Sequence, residues 1–276
     1  MKVKRILLRS ALLLFGASCF VCSCQQSTGD QSQGDETLAW DSVVVDTTAM
    51  LTDDAHGPKA EIHLNIKYAS GKKASNVNDS LIGCGLLSPD YLAVEKDKSM
   101  TVPEAVRLFV RRYVADYVKD YGALYAKDKE HGASYNLQYS CNTSVAMQSK
   151  GIVNYVAEVY SFAGGAHGMN ITIAKNFDAA TGKMLKLSDV FVPGYEEGLK
   201  ELIVKELCGK LDVKDLEQLQ QKGVFVGMEP YVPDNFIVGD GQVTFVYCDT
   251  EIAPHAVGEL RVDLKGGEVK KLMKSE

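Results

Sequence analysis

Alternating apolar and polar residues, interrupted by helical segments in no regular order, constrain the fold of this chain most strongly. Residues 60–68 and 259–264 each present one apolar and one polar face, which indicates half-buried strands of antiparallel sheets. The helical segments do not follow the strand–helix–strand regularity of a parallel sheet. The sequence therefore predicts an α+β fold, with antiparallel sheets packed against a long helix in the N-terminal part and two helices in the C-terminal part.

The clearest helix is predicted from Thr101 to about Asp128, because Thr101 and Glu104 form a capping box. Apolar and tyrosine side chains recur along it at three- and four-residue steps as far as Leu124, which favours a core-facing stripe over a ligand site. The same kinds of pattern predict strands at 38–51, 60–68, 134–149, 151–162, 169–178, 235–238, 242–247 and 259–264, and helices at 76–87, 195–211 and 212–222.

The N-terminal residues have the pattern of a bacterial lipoprotein signal peptide. A basic segment precedes an apolar stretch that ends near Val21 and is shorter than the roughly 20 residues that a membrane span needs. Ser23 before Cys24, and Val21 three residues before it, fit lipoprotein cleavage. We therefore expect a signal peptide at residues 1–23, acylation at Cys24 and a flexible tether at residues 24–37.

This leader predicts a location in the cell envelope, with the protein anchored to a membrane through its lipid. The absence of an acidic cluster directly after Cys24 favours a position facing the periplasm. An ordinary secretory signal, cleaved near Ala17 or Ser18, is the alternative. The sequence contains no second apolar run long enough to predict a membrane span.

The formal net charge narrows the class of partner. Residues 1–23 hold four basic and no acidic residues, so the rest of the chain has a formal net charge of −10, against −6 for the whole. Such a charge disfavours nucleic acid and suits a cationic partner.

Four cysteines follow the predicted signal peptide and tether: Cys84, Cys141, Cys208 and Cys248. Their spacing contains no CxxC pair, so a zinc site is not expected. Disulfides and buried thiols are equally compatible with the spacing.

Two segments are candidate binding loops. The first, Ser161–Gly168, contains three glycines in five residues, Gly164, Gly165 and Gly168, beside His167. Such a segment cannot be the interior of a strand, because glycine permits positive φ angles and close backbone approach. It is either a tight connection between two strands or a binding loop that displays His167.

The second candidate loop covers residues 247–258. Pro254 and Gly258 frame it, and it contains Glu251 and His255. Proline and glycine are typical of an irregular connection between strands. A second histidine in a loop makes this segment the other candidate contact region.

No motif predicts a catalytic or cofactor site. The chain lacks GxGxxG, GxxxxGK[ST] and GxSxG patterns. A metal site formed by His167 and His255 with Glu251 or Asp249 would have suitable ligand types, but no spacing supports it. We therefore predict no metal, no cofactor and no catalytic residue.

Several motifs occur in the order found in the RsiV-like extracellular domain, a family known as domain of unknown function 3298. They are Gly164–Gly168, Asn176–Asp178, Thr181–Lys183, Leu187–Phe191 and Thr250–Gly258. They resemble the family's G-G-A-H-G loop, F-D-x-x-T-G-K turn, L-x-D-L-F segment and Y-E-I-A-P-Y-A-x-G segment.

The resemblance covers about residues 150–266, and Thr250 and His255 stand where the family usually has tyrosine. The preceding part is similar to the accessory domain of PdaC-type peptidoglycan deacetylases, domain of unknown function 4163. The two resemblances imply a PdaC-type N-terminal domain at residues 38–148 and an RsiV-like C-terminal domain at residues 149–276.

The family resemblance implies a ligand-binding module of the envelope. In anti-sigma-factor relatives the domain is the sensing part and binds lysozyme; in the deacetylases it accompanies a catalytic domain. We expect neither a transmembrane signalling role nor catalysis here. The expected partner is a cell-wall glycan or a cationic, lysozyme-like muramidase. The expected contact residues are Gly164, Gly165, His167, Gly168, Glu251, Pro254 and His255.

Two other functions remain open on sequence grounds. One is an enzyme that processes envelope glycans, using His167 with a carboxylate such as Asp178 or Glu251. The other is a purely structural or assembly lipoprotein.

Overall fold

The described part of the protein comprises nine strands and seven α-helices. These elements come from a computed structural model that describes residues 38–71, 73–87, 100–148 and 151–274. The predicted signal peptide, the acylation site Cys24 and the tether lie outside these residues. Among the helices in the described ranges, none has the length and apolar character needed to cross a bilayer.

The strands form two sheets. The larger sheet holds six strands in chain order: β1 (Ala39–Met50), β2 (Lys59–Ser70), β3 (Leu137–Met147), β4 (Ile152–Ala163), β5 (Met169–Asp178) and β6 (Met184–Leu185). The smaller sheet holds β7 (Phe236–Gly239), β8 (Gln242–Tyr247) and β9 (Leu260–Lys265). All neighbours are antiparallel except β2 and β3. These two run parallel because the helical connection between them returns the chain to the same end of the sheet.

The helices are α1 (Ala74–Ile82), α2 (Val102–Asp116), α3 (Gly122–Tyr125), α4 (Leu187–Val190), α5 (Tyr195–Leu211), α6 (Leu216–Gln221) and α7 (Gly267–Leu272). A π-helical turn at Tyr117–Tyr121 joins α2 to α3, and a 3₁₀ segment at Lys129–Tyr135 precedes β3. The predicted α+β class is confirmed. The two C-terminal helices predicted from the sequence correspond to α5 and α6, whereas the short helices α4 and α7 were not predicted.

The first hydrophobic core lies between the large sheet and helices α1 and α2. Ile62, Leu64 and Tyr155 from the sheet meet Val106 and Phe109 from α2, and all five side chains are buried. Burial of each such side chain stabilises the fold by about 1.5–3 kcal/mol. This core fixes the large sheet, and therefore the strand ends that carry the candidate loops.

The predicted stripe of the long helix is correct as far as Tyr121, which packs against the first core, and wrong at Leu124. The capping box is present: the Glu104 amide donates to Thr101 Oγ1, and the Thr101 amide donates to Glu104 Oε2 at 2.9 Å. Leu124, however, is 52% exposed. The π-helical turn contains more residues than an α-helical turn, so the residues after it rotate away from the core.

Buried asparagines join the two sheets. Strand β7 lies over the face of β4 and β5 that points away from the first core. Asn154 Nδ2 donates to Asn176 Oδ1 at 2.8 Å, Asn176 Nδ2 donates to the Phe236 carbonyl at 2.9 Å, and the Val238 amide donates to Asn176 Oδ1 at 3.1 Å. Because leaving these buried amide groups unpaired is costly, this network favours one placement of β7 on the large sheet.

Asn235 covers the backbone edge of β5 that β6 does not reach. The Ala174 amide donates to Asn235 Oδ1, and Asn235 Nδ2 donates to the Thr172 carbonyl, both at 2.7 Å. A side-chain amide thus replaces a neighbouring strand at this edge. The arrangement also places the C-terminal end of β8 beside β5, because the Val246 amide donates to the Asn235 carbonyl.

The large sheet continues across the predicted domain boundary between residues 148 and 149. Strands β3 and β4, on either side of that boundary, are paired along their length, and the described residues belong to one compact unit. The buried residues of the first core end at Ala179, and those of the second core begin at Leu187. The division into a PdaC-type N-terminal domain and an RsiV-like C-terminal domain stays a prediction.

Candidate functional site

The two candidate loops meet where β4 ends and β5 begins. The imidazole rings of His167 and His255 lie with their centroids 5.4 Å apart and their planes tilted by 36°. Both residues are exposed. The two loops were predicted separately from the sequence, and the structure brings them together. We call residues Gly164–Gly168 and Asp249–Gly258 the two-loop site.

The glycines of the first loop are required by packing. A Cβ atom on Gly164 would lie 2.1 Å from the Ser134 carbonyl oxygen, and one on Gly168 would lie 2.3 Å from the Tyr160 ring. Gly164 and Gly165 also have φ angles of +71° and +124°, which disfavour side chains. The glycines therefore shape the loop, and His167 supplies its exposed polar chemistry.

In the second loop, a buried carboxylate orients an exposed imidazole. His255 Nδ1 lies 2.5 Å from Asp249 Oδ2, and the side chains are 48% and 5% exposed, respectively. Since a carboxylate can only accept, Nδ1 donates, and in the neutral imidazole Nε2 remains an acceptor. Asp249 Oδ1 is buried and has no hydrogen-bond partner among the described residues.

Glu251 stabilises the second loop through two hydrogen bonds. Its Oε1 accepts a hydrogen bond from the Tyr231 hydroxyl at 2.5 Å, and its Oε2 accepts one from the Cys248 amide at 2.7 Å. Burial raises the pKa of the Tyr231 hydroxyl, and the hydrogen bond to Glu251 raises it further. Glu251 was expected to contact a ligand; both of its oxygens are engaged within the protein.

The segment at residues 223–227, which was not predicted to take part in the site, stabilises the second loop by packing and a hydrogen bond. The Phe225 amide donates to the Ile252 carbonyl at 2.8 Å, and Pro254 packs against Gly223 so closely that a Cβ there would lie 3.2 Å from Pro254 Cδ. Phe225 is fully buried at a φ of +58°, an unusual conformation for an aromatic residue. The short apolar segment Val224–Val226 between Gly223 and Gly227 is the sequence signal for this contact.

Asp178, proposed as an acid partner of His167, lies at the far end of β5. Its Oδ1 accepts from both the amide and the hydroxyl of Thr181 at 2.7 Å, which closes the turn after β5. The length of β5 separates it from the two-loop site by about 30 Å at the usual rise per residue. The proposed pairing of His167 with Asp178 is therefore wrong.

A polar groove with a volume of about 430 Å³ adjoins the two-loop site. Tyr160 connects the two features, because it lines the groove while its ring packs against Gly168. The far wall is formed by Glu259 and Arg261, which follow the second loop in the chain. The two-loop site and the groove thus form one continuous surface.

The described residues contain no group of three or more His, Cys, Asp and Glu side chains arranged to hold a metal ion. Cys84, Cys141, Cys208 and Cys248 are free thiols. Burial raises the pKa of all four, and that of Cys141 to about 12. Such thiols are poor nucleophiles and metal ligands near neutral pH.

Residues 188–265 match the sequence model of a family described as "Protein of unknown function (DUF3298)". A crystal structure of a DUF3298 family member from Bacteroides fragilis NCTC 9343 is similar to this chain with a TM-score of 0.75 and 24% sequence identity; the match covers 86% of this chain and 94% of that one. A DUF3298 family protein from Pseudomonas aeruginosa PAO1 matches with a TM-score of 0.54 and 16% identity, over 87% and 96% of the two chains. No curated protein matches this chain.

Proposed function

We propose that this chain, which carries a DUF3298 domain at residues 188–265, is a non-catalytic, lipid-anchored protein of the cell envelope that binds a cell-wall-related partner. The partner is either a cationic, lysozyme-like muramidase or peptidoglycan. Contact is made through the two-loop site, with His167 and His255 at its centre. The lipid at Cys24 holds the domain to the membrane on its periplasmic side.

The meeting of His167 and His255 carries this proposal. Two exposed imidazoles from loops distant in sequence lie 5.4 Å apart, and each loop is held by internal packing. The first is fixed through Gly164 on Ser134, and the second through Glu251. A preorganised loop loses little conformational entropy when a partner binds, so rigid support of exposed rings favours a contact surface.

Charge supports a cationic partner. The chain after the predicted signal peptide has a formal net charge of −10, and Glu158 adds a carboxylate in the groove beside the two-loop site. Such a field accelerates encounter with a positively charged protein and weakens binding of nucleic acid.

Titration calorimetry of the purified protein with lysozyme and, separately, with soluble muropeptides tests the proposal. We expect saturable binding of at least one of them, weakened about tenfold by His167→Ala, which corresponds to about 1.4 kcal/mol. His56→Ala, in the turn between β1 and β2, is the matched control and should bind like the wild type. Absence of binding to both partners would refute the function.

The predicted anchor has its own test. Metabolic labelling with a radioactive fatty acid should modify the wild-type chain and not Cys24→Ala, whereas Cys22→Ala should still be modified. Loss of label in Cys22→Ala together with retention in Cys24→Ala would show that the anchor was assigned to the wrong residue.

The hydrogen bond from His255 to Asp249 favours a second candidate, an enzyme acting on envelope glycans. A buried carboxylate that orients an exposed imidazole is the arrangement used by many general bases. His167 beside it could act on the same substrate. In this alternative the carboxylate partner is Asp249, rather than Asp178 or Glu251, the two that the sequence suggested.

Turnover of labelled peptidoglycan separates the two candidates. An enzyme should release soluble fragments, and both His255→Ala and His167→Ala should abolish release. His131→Ala, which removes an exposed histidine paired with exposed Asp128, is the control. If the wild-type protein releases no fragments, or if His167→Ala retains full activity, the enzymatic candidate fails.

A further inference from the structure

The polar groove lies on the face of the large sheet that points away from the first core. On β4, Tyr155 and Ala157 are buried in that core, so the alternation of the strand places Glu158 and Tyr160 on the opposite face. The groove is lined by the polar residues Ser140, Asn142, Glu158, Tyr160, Asn170, Thr172, Glu259 and Arg261, together with Val159 and Ile171.

Strand register arranges the floor of the groove in two rows. Ser140, Tyr160 and Asn170 are direct neighbours across β3, β4 and β5. The second row, two residues away on each strand, contains Asn142, Glu158 and Thr172. Because strands lie about 4.8 Å apart, each row spans about 10 Å across the strands. The floor is therefore a compact array of hydroxyl, amide and carboxylate groups.

The charged wall of the groove is internally neutralised. Arg261 Nε donates to Glu259 Oε1 at 2.6 Å, and its Nη2 donates to Thr172 Oγ1 at 3.4 Å. The cation among the described lining residues is thus already paired, whereas Glu158 is exposed and makes no ion pair within the described chain. This charge pattern disfavours phosphate, which requires unpaired cations.

Several polar groups on the floor are available to a ligand. The side chains of Ser140, Glu158, Tyr160 and Asn170 form no hydrogen bond with another part of the described chain. Tyr160 is nevertheless fixed, because its ring packs against the Gly168 backbone. An aromatic ring held beside free donors and acceptors can contact the apolar face of a sugar ring while its neighbours bind the hydroxyls.

We propose that the polar groove binds an oligosaccharide with no phosphate, the chemistry of a cell-wall glycan strand. This inference rests on the proposed cell-wall partner and deepens it, since it assigns the glycan to a named site. The open array of hydroxyl and amide groups on the floor suits a polyhydroxylated chain. The two-loop site then lies at one end of the bound glycan.

Calorimetric titration with the tetramer of N-acetylglucosamine tests the assignment. The full chain is used, in a detergent whose headgroup contains no sugar. We expect saturable binding that is weakened on the order of tenfold by Ser140→Ala and by Glu158→Gln. Ser144→Ala, on the same face of β3 but outside the groove, is the matched control and should bind like the wild type.

The outcomes separate this inference from the proposed function. Absence of tetramer binding while lysozyme still binds would overturn the groove assignment and leave the cell-wall function standing. Absence of binding to the tetramer, lysozyme and muropeptides would overturn both. Tetramer binding that Ser140→Ala and Glu158→Gln leave unchanged would show that the glycan binds elsewhere, and would also overturn the assignment.

Discussion

Asp249 Oδ2 lies 2.5 Å from His255 Nδ1, and the carboxylate is almost fully buried while the imidazole is half exposed. The pair therefore joins the interior of the C-terminal part to the surface of the two-loop site. Asp249 Oδ1 has no hydrogen-bond partner among the described residues, so the side chain of His255 supplies the one hydrogen bond that this carboxylate receives there, at Oδ2. The pair serves either candidate function, since it fixes the ring that a partner or substrate would meet.

Removal of His255 should destabilise the protein more than removal of another paired histidine. His255→Ala leaves the buried Asp249 carboxylate without a partner, and we expect a loss of about 1–3 kcal/mol in the free energy of unfolding by urea. His131→Ala breaks an exposed pair with Asp128 and should cause no measurable loss. Equal effects of the two substitutions would contradict a structural role for the Asp249–His255 hydrogen bond.

Gly164→Ala should displace the first loop, because the added Cβ would meet the Ser134 carbonyl oxygen. Gly151 has a similar φ angle, +66° against +71°, but open space around its Cβ position. Both substitutions place alanine at a positive φ angle, which costs about 1 kcal/mol in each case. The difference in stability between the two variants therefore reports the steric contact alone. Thermal denaturation should show a larger fall in melting temperature for Gly164→Ala; similar falls would contradict the packing argument.

Asn176→Ala should weaken the attachment of β7 to the large sheet. The substitution removes the hydrogen bonds to Asn154, the Phe236 carbonyl and the Val238 amide, and it leaves buried groups unpaired. We expect a loss of about 2–4 kcal/mol, measured by urea denaturation. Asn170→Ala, on the same face of β5 but exposed and unbonded within the described chain, should change stability little. A small effect of Asn176→Ala would contradict the proposed role of this network.

Stability should fall at alkaline pH partly because of Cys141. Burial raises the pKa of its thiol to about 12 in the folded protein, against about 8.5 in an unfolded chain. The favourable contribution is complete below about pH 8.5 and is lost as pH rises toward 12, because only the unfolded state then releases the proton. Cys141→Ala should therefore flatten the decline in the free energy of unfolding between pH 8.5 and 11. An unchanged slope would contradict the burial of this thiol.

Much of the fold follows from local patterns. The Thr101–Glu104 capping box starts α2 as predicted, and the alternation of Ile62 and Leu64 with polar residues places the correct face of β2 in the core. These features depend on neighbours within one element. Leu124 was misplaced because the stripe assumes a constant helical period, which the π-helical turn interrupts.

The candidate site was predictable only in parts. Both loops were recognisable from glycine, proline and histidine, but their meeting depends on how β7 and β8 dock on β5, which no local pattern encodes. The same dependence explains why Asp249, rather than Asp178, lies beside the histidines. The groove was missed because its floor is formed by cross-strand neighbours such as Ser140 and Tyr160, whose proximity requires the sheet register.

The most direct test of the account is a nuclear magnetic resonance titration of the histidine ring signals. The chain contains five histidines, so each imidazole can be followed while soluble muropeptide or lysozyme is added. We expect the signals of His167 and His255 to shift together and to saturate, while that of His56 stays unchanged. A bound partner that leaves the His167 and His255 signals unmoved, or absence of any shift with both partners, would contradict the claim that the two-loop site binds a cell-wall partner.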